Sequence, residues 1–327
     1  MALKMWKTAV LTVALAVLIA TCGLPAVSAG PSRIRIADQF GLGYAPVTIM
    51  TELRLLEKHY PGLKVERRIL GSGGPVREAM VAGQIDVGFM GIPHYLIGYS
   101  KGIDFKITAG LTIMPLLLLT YRTDIRSIRD FKPTDKIGMP GPGSNQHMLL
   151  SMASEIEFGN PTALDANVVA MPHPDAAALL GAKRELAAHY SSPPYQFETL
   201  KREGFHVVAN GNDAFGEPFT FLVCVTTGRF VKEHPDIYDA LVRALGEAVE
   251  LLRDRPHEAA RILATVDKSV TEESYYCYIT WEGVEWATTP RGIMRWATFM
   301  KKSGYIDKIP NHWTDTVWDN LKGANGS

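Results

Sequence analysis

One pattern, used twice, constrains this chain more than any other feature. Residues 78–91, EAMVAGQIDVGFMG, read as helix, small-residue turn, buried strand and small-residue loop. Residues 177–192, AALLGAKRELAAHYSS, read the same way. Each unit returns a strand to a sheet through a helix, so each belongs to a crossover. Two such series give two similar α/β lobes, each with loops at the carboxyl ends of its strands. Ligands bind at that edge of open α/β sheets.

The rest of the chain fits this frame. Arg33 to Ala37 alternates as a strand, QFGLGYAP is a loop, and Pro46 opens a helix predicted to run to His59. A strand at residues 63–66 precedes a loop at 71–74, a helix at 75–82, a strand at 85–90 and a loop at 91–94. Strands follow at 105–111 and 116–121. The second series has strands at 136–139, 168–171, 186–190 and 205–209, with a helix from about His147 to Phe158. A longer strand at 218–226 returns the chain to the first lobe. Helices are then predicted at 230–253, 256–265, 271–286 and 290–302. The first carries Ile237, Leu241, Leu245, Val249 and Leu252 at helical spacing.

The amino terminus reads as an export signal. Lys4 and Lys7 precede an apolar run at residues 8–20, too short to span a bilayer comfortably, and Val27-Ser28-Ala29 is a small-residue cleavage site. Residues 1–29 are therefore expected to be removed on export. Lipid anchoring at Cys22 is disfavoured by the large Thr21 before it. With 34 basic and 34 acidic residues the chain has no electrostatic footprint for nucleic acid. Cys224 and Cys277 sit in apolar or aromatic runs and are expected to be two buried thiols; no Cys/His spacing suggests a metal site.

The loops on the ligand edge supply the candidate site. Ser72, Gly73 and Gly74 precede a helix but lack the lysine of a P-loop and the spacing of a dinucleotide site. They leave free N–H groups for a small anion or polar group, or they form a plain capped turn. Ser144, Asn145 and Gln146 stand at the mouth of a second helix, where they offer several donors or cap it. Ser191, Ser192 and Tyr195 flank a stiff Pro-Pro pair, and Pro93 and His94 fall on the same edge, as do Gln39 and Tyr44 after the first strand. No nucleophile elbow, metalloprotease helix or paired carboxylates suggest catalysis, and no cofactor is expected.

In this order the motifs resemble the periplasmic solute-binding proteins of nitrate/sulfonate/taurine-type ABC importers, a group with relatives that bind thiamine-precursor pyrimidines. The resemblance covers nearly all the chain after residue 29. It rests on Tyr44-Ala45-Pro46, on Gly71-Ser72-Gly73-Gly74 with the helix and Ile85-Asp86-Val87 behind it, and on Gly141 to His147. Ser192-Pro193-Pro194-Tyr195 and RFVKEHPDIYDALVRAL complete it. Two departures touch the ligand side: Leu186-Ala187-Ala188 replaces Ile-Asp-Ala, and Ser191 and Ser192 replace a tryptophan and an acidic residue.

The resemblance implies a two-lobed periplasmic-binding-protein fold of type II, each lobe a mostly parallel sheet flanked by helices, with the cleft between them. It places residues 30–120 in lobe 1, 121–222 in lobe 2 and 223–327 back in lobe 1, with crossings near Leu119–Arg122 and Leu222–Thr226. It implies a monomer that closes on a small polar or anionic solute, such as a sulfonate, carboxylate or heterocycle, and delivers it to a permease with a separate ATPase. A pyrimidine-precursor-synthase-like enzyme on the same fold, or a ligand-sensing subunit of a membrane receptor, are the alternatives.

Overall fold

The structure is a computed structural model that describes residues 33–327. The expected export signal and Cys22 lie outside the described residues. Among the described residues, eleven strands form two sheets. In the first, β1 (Arg33–Asp38) lies between β2 (Lys64–Ile69) and β3 (Val87–Gly91). Beyond β3 come β10 (Thr220–Thr227), β4 (Phe105–Ile113) and the two-residue β11 (Glu285–Trp286). The second sheet has the order β7 (Val168–Ala170), β6 (Ile137–Met139), β8 (Ala188–Tyr190), β5 (Leu117–Thr120) and β9 (His206–Asn210).

Strand direction shows how the chain passes between the sheets. β2, β1, β3 and β4 run one way, and β10 and β11 run against them. In the second sheet only β5 runs against its neighbours. β5 and β10 are the strands that follow a change of sheet. Each sheet is thus mixed rather than mostly parallel: most of its strands run one way, and the crossing strand, joined in the first sheet by β11, runs against them. The first change falls at residues 114–116, ahead of the expected Leu119–Arg122, because Leu118 and Leu119 already pair with Tyr190 and His189. The return is complete by Thr220, which pairs with Ile113. Gln196 clamps the first crossing: its Nε2 donates to the Pro115 carbonyl at 3.0 Å, and its Oε1 accepts from Leu117 N at 3.2 Å.

The two echoing units match in their local geometry. Their helices, Gly73–Val81 and His173–Gly181, have nine residues each. Each ends with a left-handed residue two positions past its last turn, Gly83 at φ 67 and Lys183 at φ 54. The N–H after that residue reaches back in both, Gln84 to Ala79 and Arg184 to Leu179. This is a helix-ending turn of the Schellman type.

Several predicted boundaries move, each for a local reason. The helix expected to reach His59 breaks into Ala45–Glu52 and Leu55–His59, with Arg54 left-handed between them at φ 51. The loop expected at 91–94 is the end of β3 and the start of the helix Ile92–Ser100, whose first turn accepts Pro93 because proline lacks only an N–H that is unpaired there anyway. The helix expected at 230–253 is divided at His234, where Pro235 opens Pro235–Asp254. The helix expected at 271–286 stops at Ile279, and Glu285 and Trp286 instead pair with Ile113 and Thr112. Cys224 is buried in β10, but Cys277 is exposed on the outer face of the helix Glu272–Ile279; neither is bonded. No helix among the described residues is long and apolar enough to cross a membrane.

One buried ion pair holds the ligand edge of the first sheet. Asp38, the last residue of β1, is fully buried. Arg67 on β2 clamps it with two bonds, Nε to Oδ1 at 3.0 Å and Nη2 to Oδ2 at 2.5 Å. Burial pushes the Asp38 carboxyl above its ordinary range, and Arg67 opposes that shift. Arg67→Met leaves the carboxylate uncompensated, so urea unfolding is expected to show a loss of about 3–5 kcal/mol near pH 7. Asp38 protonates more readily folded than unfolded, so the deficit should narrow as pH falls from about 7 toward 5. A loss below about 1 kcal/mol, or one that widens on acidification, would contradict this role.

Candidate functional site

The carboxyl ends of the strands meet where the two sheets face each other. Gln39 follows β1, and its Nε2 donates to the Phe89 carbonyl at 3.0 Å. Tyr44 closes a single 3-10 turn, Leu42–Tyr44, and is buried. Burial raises its phenol well above the usual range, and the Asp38 charge adds to that shift. His94 lies in the first turn of the helix after β3. From the other lobe, Ser144 caps the helix Asn145–Phe158 by accepting from His147 N at 3.1 Å, which leaves Asn145 and Gln146 as its first two residues.

The lobes touch directly at this seam. Leu42 N donates to the Pro193 carbonyl at 2.9 Å. Asn145 Nδ2 donates to the Phe221 carbonyl on β10 at 3.2 Å. The Asn145 amide passes over Gly91, the last residue of β3. A Cβ there would stand 2.1 Å from Asn145 Nδ2, so only glycine admits the approach.

Gln39, Tyr44, His94, Ser144, Asn145 and Gln146 line one cavity of about 20 Å³. That is room for about one water molecule. Phe40, Gly91, Pro140, His173, Phe221 and Leu222 complete the wall. Sequence reasoning did not select these six. His173 carried a signal, since it holds the place in its unit that Gly73 holds in the first. Phe221 contributes a backbone oxygen, which no side chain announces. Beside the cavity a second space of about 200 Å³ shares Gln39, Phe40 and Tyr44 and is walled further by Arg67, Tyr195 and Tyr275.

The remaining predicted residues fall elsewhere. Ser72, Gly73 and Gly74 do not line the cavity. The His94 ring lies on Gly73, where a Cβ would meet its Cδ2 at 2.3 Å, so the imidazole and not the glycine backbone reaches the cavity. Pro93 is buried in its helix turn. Ser191 is buried and its N–H completes a strand pairing with the Leu117 carbonyl at 2.8 Å. The Ser192 carbonyl accepts from Gln196 N at 3.2 Å. Tyr195 opens a helix, Tyr195–Leu200, and stacks on His173 with centroids 5.9 Å apart. Arg77 donates to the His94 carbonyl at 3.3 Å, and Trp281 stacks on Phe197 at 4.4 Å.

The wall of the small cavity contains no lysine, arginine, aspartate or glutamate. Its histidines are held neutral. Burial, then the Arg77 and His147 charges, pushes His94 down to about 3, and burial alone pushes His173 down to about 3. His189 behind it is also lowered, well below the ordinary imidazole range, by burial and then by His173. A side-chain chain runs from Gln146 Nε2 to His173 Nε2 at 3.1 Å and from His173 Nδ1 to His189 Nε2 at 2.9 Å. The arrangement can hold and orient a small polar molecule. Cys224 does not belong to the wall, and burial raises its thiol.

The sequence profile of the NMT1-like family matches residues 29–266. The chain belongs to the NMT1-like family. Several proteins similar to it carry the names of sulfonate- and nitrate-binding proteins. A Bacillus subtilis (strain 168) protein with the provisional name of an aliphatic sulfonates-binding protein is 27% identical over 283 residues, covering 82% of this chain and 81% of that one. The alkanesulfonate-binding protein of Xanthomonas axonopodis pv. citri, solved bound to MOPS, aligns with a TM-score of 0.71 at 19% identity over 89% of this chain and 99% of that one. The periplasmic nitrate-binding protein of Synechocystis PCC 6803 aligns with a TM-score of 0.68 at 15% identity over 89% of this chain and 86% of that one. At these identities the structural matches establish a shared fold, the periplasmic-binding-protein fold.

The Gly91–Asn145 contact predicts a separation of closure from folding. In Gly91→Ala the new methyl opposes the seam by about 1–3 kcal/mol, while each lobe keeps its own core. Hydrogen exchange at the Leu42 amide, bonded across the seam, is expected to quicken roughly 5- to 100-fold with little change in the urea midpoint. Unchanged exchange at Leu42 would contradict the contact.

Proposed function

We propose that this chain is the extracytoplasmic solute-binding component of an ABC importer. It captures a small polar or anionic organic solute by hinge closure and delivers it to a membrane permease powered by a separate ATPase. The observation that carries this reading is the cavity itself. It lies on the seam of two sheets joined by two crossings, seven polar side chains stand in its wall, and at about 20 Å³ it admits no organic solute unless the lobes part. The family's relatives bear names of sulfonate- and nitrate-binding proteins, and several are periplasmic by name. The export signal read in residues 1–29 suits the same compartment. An enzyme of the pyrimidine-precursor-synthase type receives less support, since Cys224 lies inside the sheet and Cys277 on the outer surface.

A thermal-shift panel of small sulfonates, carboxylates, carboxamides and heterocycles, followed by solution scattering, tests this. A true solute at about 100 times its dissociation constant should stabilise the protein by about 2.7 kcal/mol. The same solute should shrink the radius of gyration or reduce its spread as the open form is lost. Tight binding with no effect on scattering or on exchange at the seam would contradict a two-lobe trap. Conversion of the bound solute would favour the enzyme.

A further inference from the structure

The hydrogen-bonding inventory of the small cavity narrows the solute, on the reading that this cavity is where the solute binds. Asn145 is the informative residue. The Phe221 carbonyl is an acceptor and nothing else, so the Asn145 group facing it at 3.2 Å is the Nδ2 donor. The opposite orientation would set two acceptors against each other. Asn145 Oδ1 is therefore the end left over, and it is buried with no partner among the described residues. His94 adds to this. Both of its ring nitrogens are buried without a partner, and a neutral imidazole offers one N–H and one lone pair. Both side chains are about 95% buried or more and line the cavity. Buried polar atoms are rarely left unpaired, because each costs about 1–3 kcal/mol. A molecule in the cavity is what can pair them.

The inventory asks for a donor and an acceptor together. Asn145 Oδ1 requires an N–H or O–H from the solute. His94 can meet a donor and an acceptor. The first turn of the helix Asn145–Phe158 favours an acceptor atom beside them. Gln146 is tied at one end of its amide to His173 and presents the other. Formal charge is missing from the wall, and the nearby guanidinium groups are engaged elsewhere: Arg67 with Asp38, and Arg77 with the His94 carbonyl. A fully ionised oxyanion would bring acceptors alone, leave Asn145 Oδ1 facing another acceptor, and lose its hydration without a counter-charge.

We infer that the cleft selects an uncharged solute of the carboxamide, sulfonamide or urea type, one that gives an N–H or O–H to Asn145 Oδ1 and carries an acceptor beside it, in preference to an ionised sulfonate, carboxylate or nitrate. The inference deepens the binding-protein reading and departs from the ligand class in the names of several relatives.

Isosteric pairs test it, because only the donor and the charge change between their members. Methanesulfonamide is compared with methanesulfonate, and benzamide with benzoate, by calorimetric or NMR titration of the chain without residues 1–29 at about pH 7.5. The uncharged member of at least one pair is expected to bind about tenfold or more tightly than its ionised partner. In Asn145→Ala that ratio should fall to roughly threefold or less. A purely structural role would weaken both members alike and leave the ratio unchanged. A preference for the ionised member, equal binding, a ratio unmoved by Asn145→Ala, or no binding by all four probes overturns the inference. If the variant does not fold, the comparison in the parent protein decides. The binding-protein reading fails separately, when no solute of the wider panel stabilises the chain or alters its scattering.

Discussion

The Asn145 side chain, laid across Gly91 onto the Phe221 carbonyl, is the interaction on which the site depends. It joins the first residue of a second-lobe helix to two neighbouring strands of the first sheet. It also fixes which end of its own amide remains available. A single neutral hydrogen bond contributes only about 0.5–1.5 kcal/mol. Together with the Leu42–Pro193 bond it makes a seam that is specific in geometry and modest in strength. On the proposed reading, a trap that must reopen needs that balance, since a large apolar interface between the lobes would oppose release.

The surroundings keep the two faces of the seam rigid. Asp38 at the end of β1 and Arg67 within β2 neutralise each other just below the loop that carries Gln39 and Tyr44. Gln196 ties the first crossing to the second lobe through both ends of its amide. Behind Gln146, His173 and His189 form a buried chain that restrains its side chain. The fixed elements are charged pairs and side-chain amides bound to backbone. The lining groups with unpaired atoms, His94 and Asn145, are those turned over to whatever the cavity receives.

Much of the architecture was legible from periodicity. The repeated helix–turn–strand unit gave the two sheets, and the stripe from Ile237 to Leu252 gave the long helix of the first lobe, all five positions of which are buried. Elements shorter than their own period were not legible. Glu285 and Trp286 looked like the end of a helix because their pairing partners, Ile113 and Thr112, lie far away in sequence. In the candidate site, Ser144 to Gln146 stood out as consecutive polar residues at a helix mouth. Ser72 to Gly74 stood out equally, yet the His94 ring covers that backbone. A loop's composition shows that it can approach a ligand; which side chain lies over it is decided by packing. The Phe221 oxygen, which orients Asn145, has no signature in sequence at all.

A crystal structure with a solute drawn from the screening panel tests the central claim most directly. The claim is that the solute lies in the cavity lined by Gln39, His94, Asn145 and Gln146, with both lobes closed on it. The account predicts solute atoms within hydrogen-bond reach, about 2.7–3.2 Å, of His94, Asn145 or Gln146, and the Asn145–Phe221 bond in place. A solute held wholly by one lobe, or one bound only in the space beside Tyr195 and Tyr275 with His94 and Asn145 still unpartnered, would contradict it.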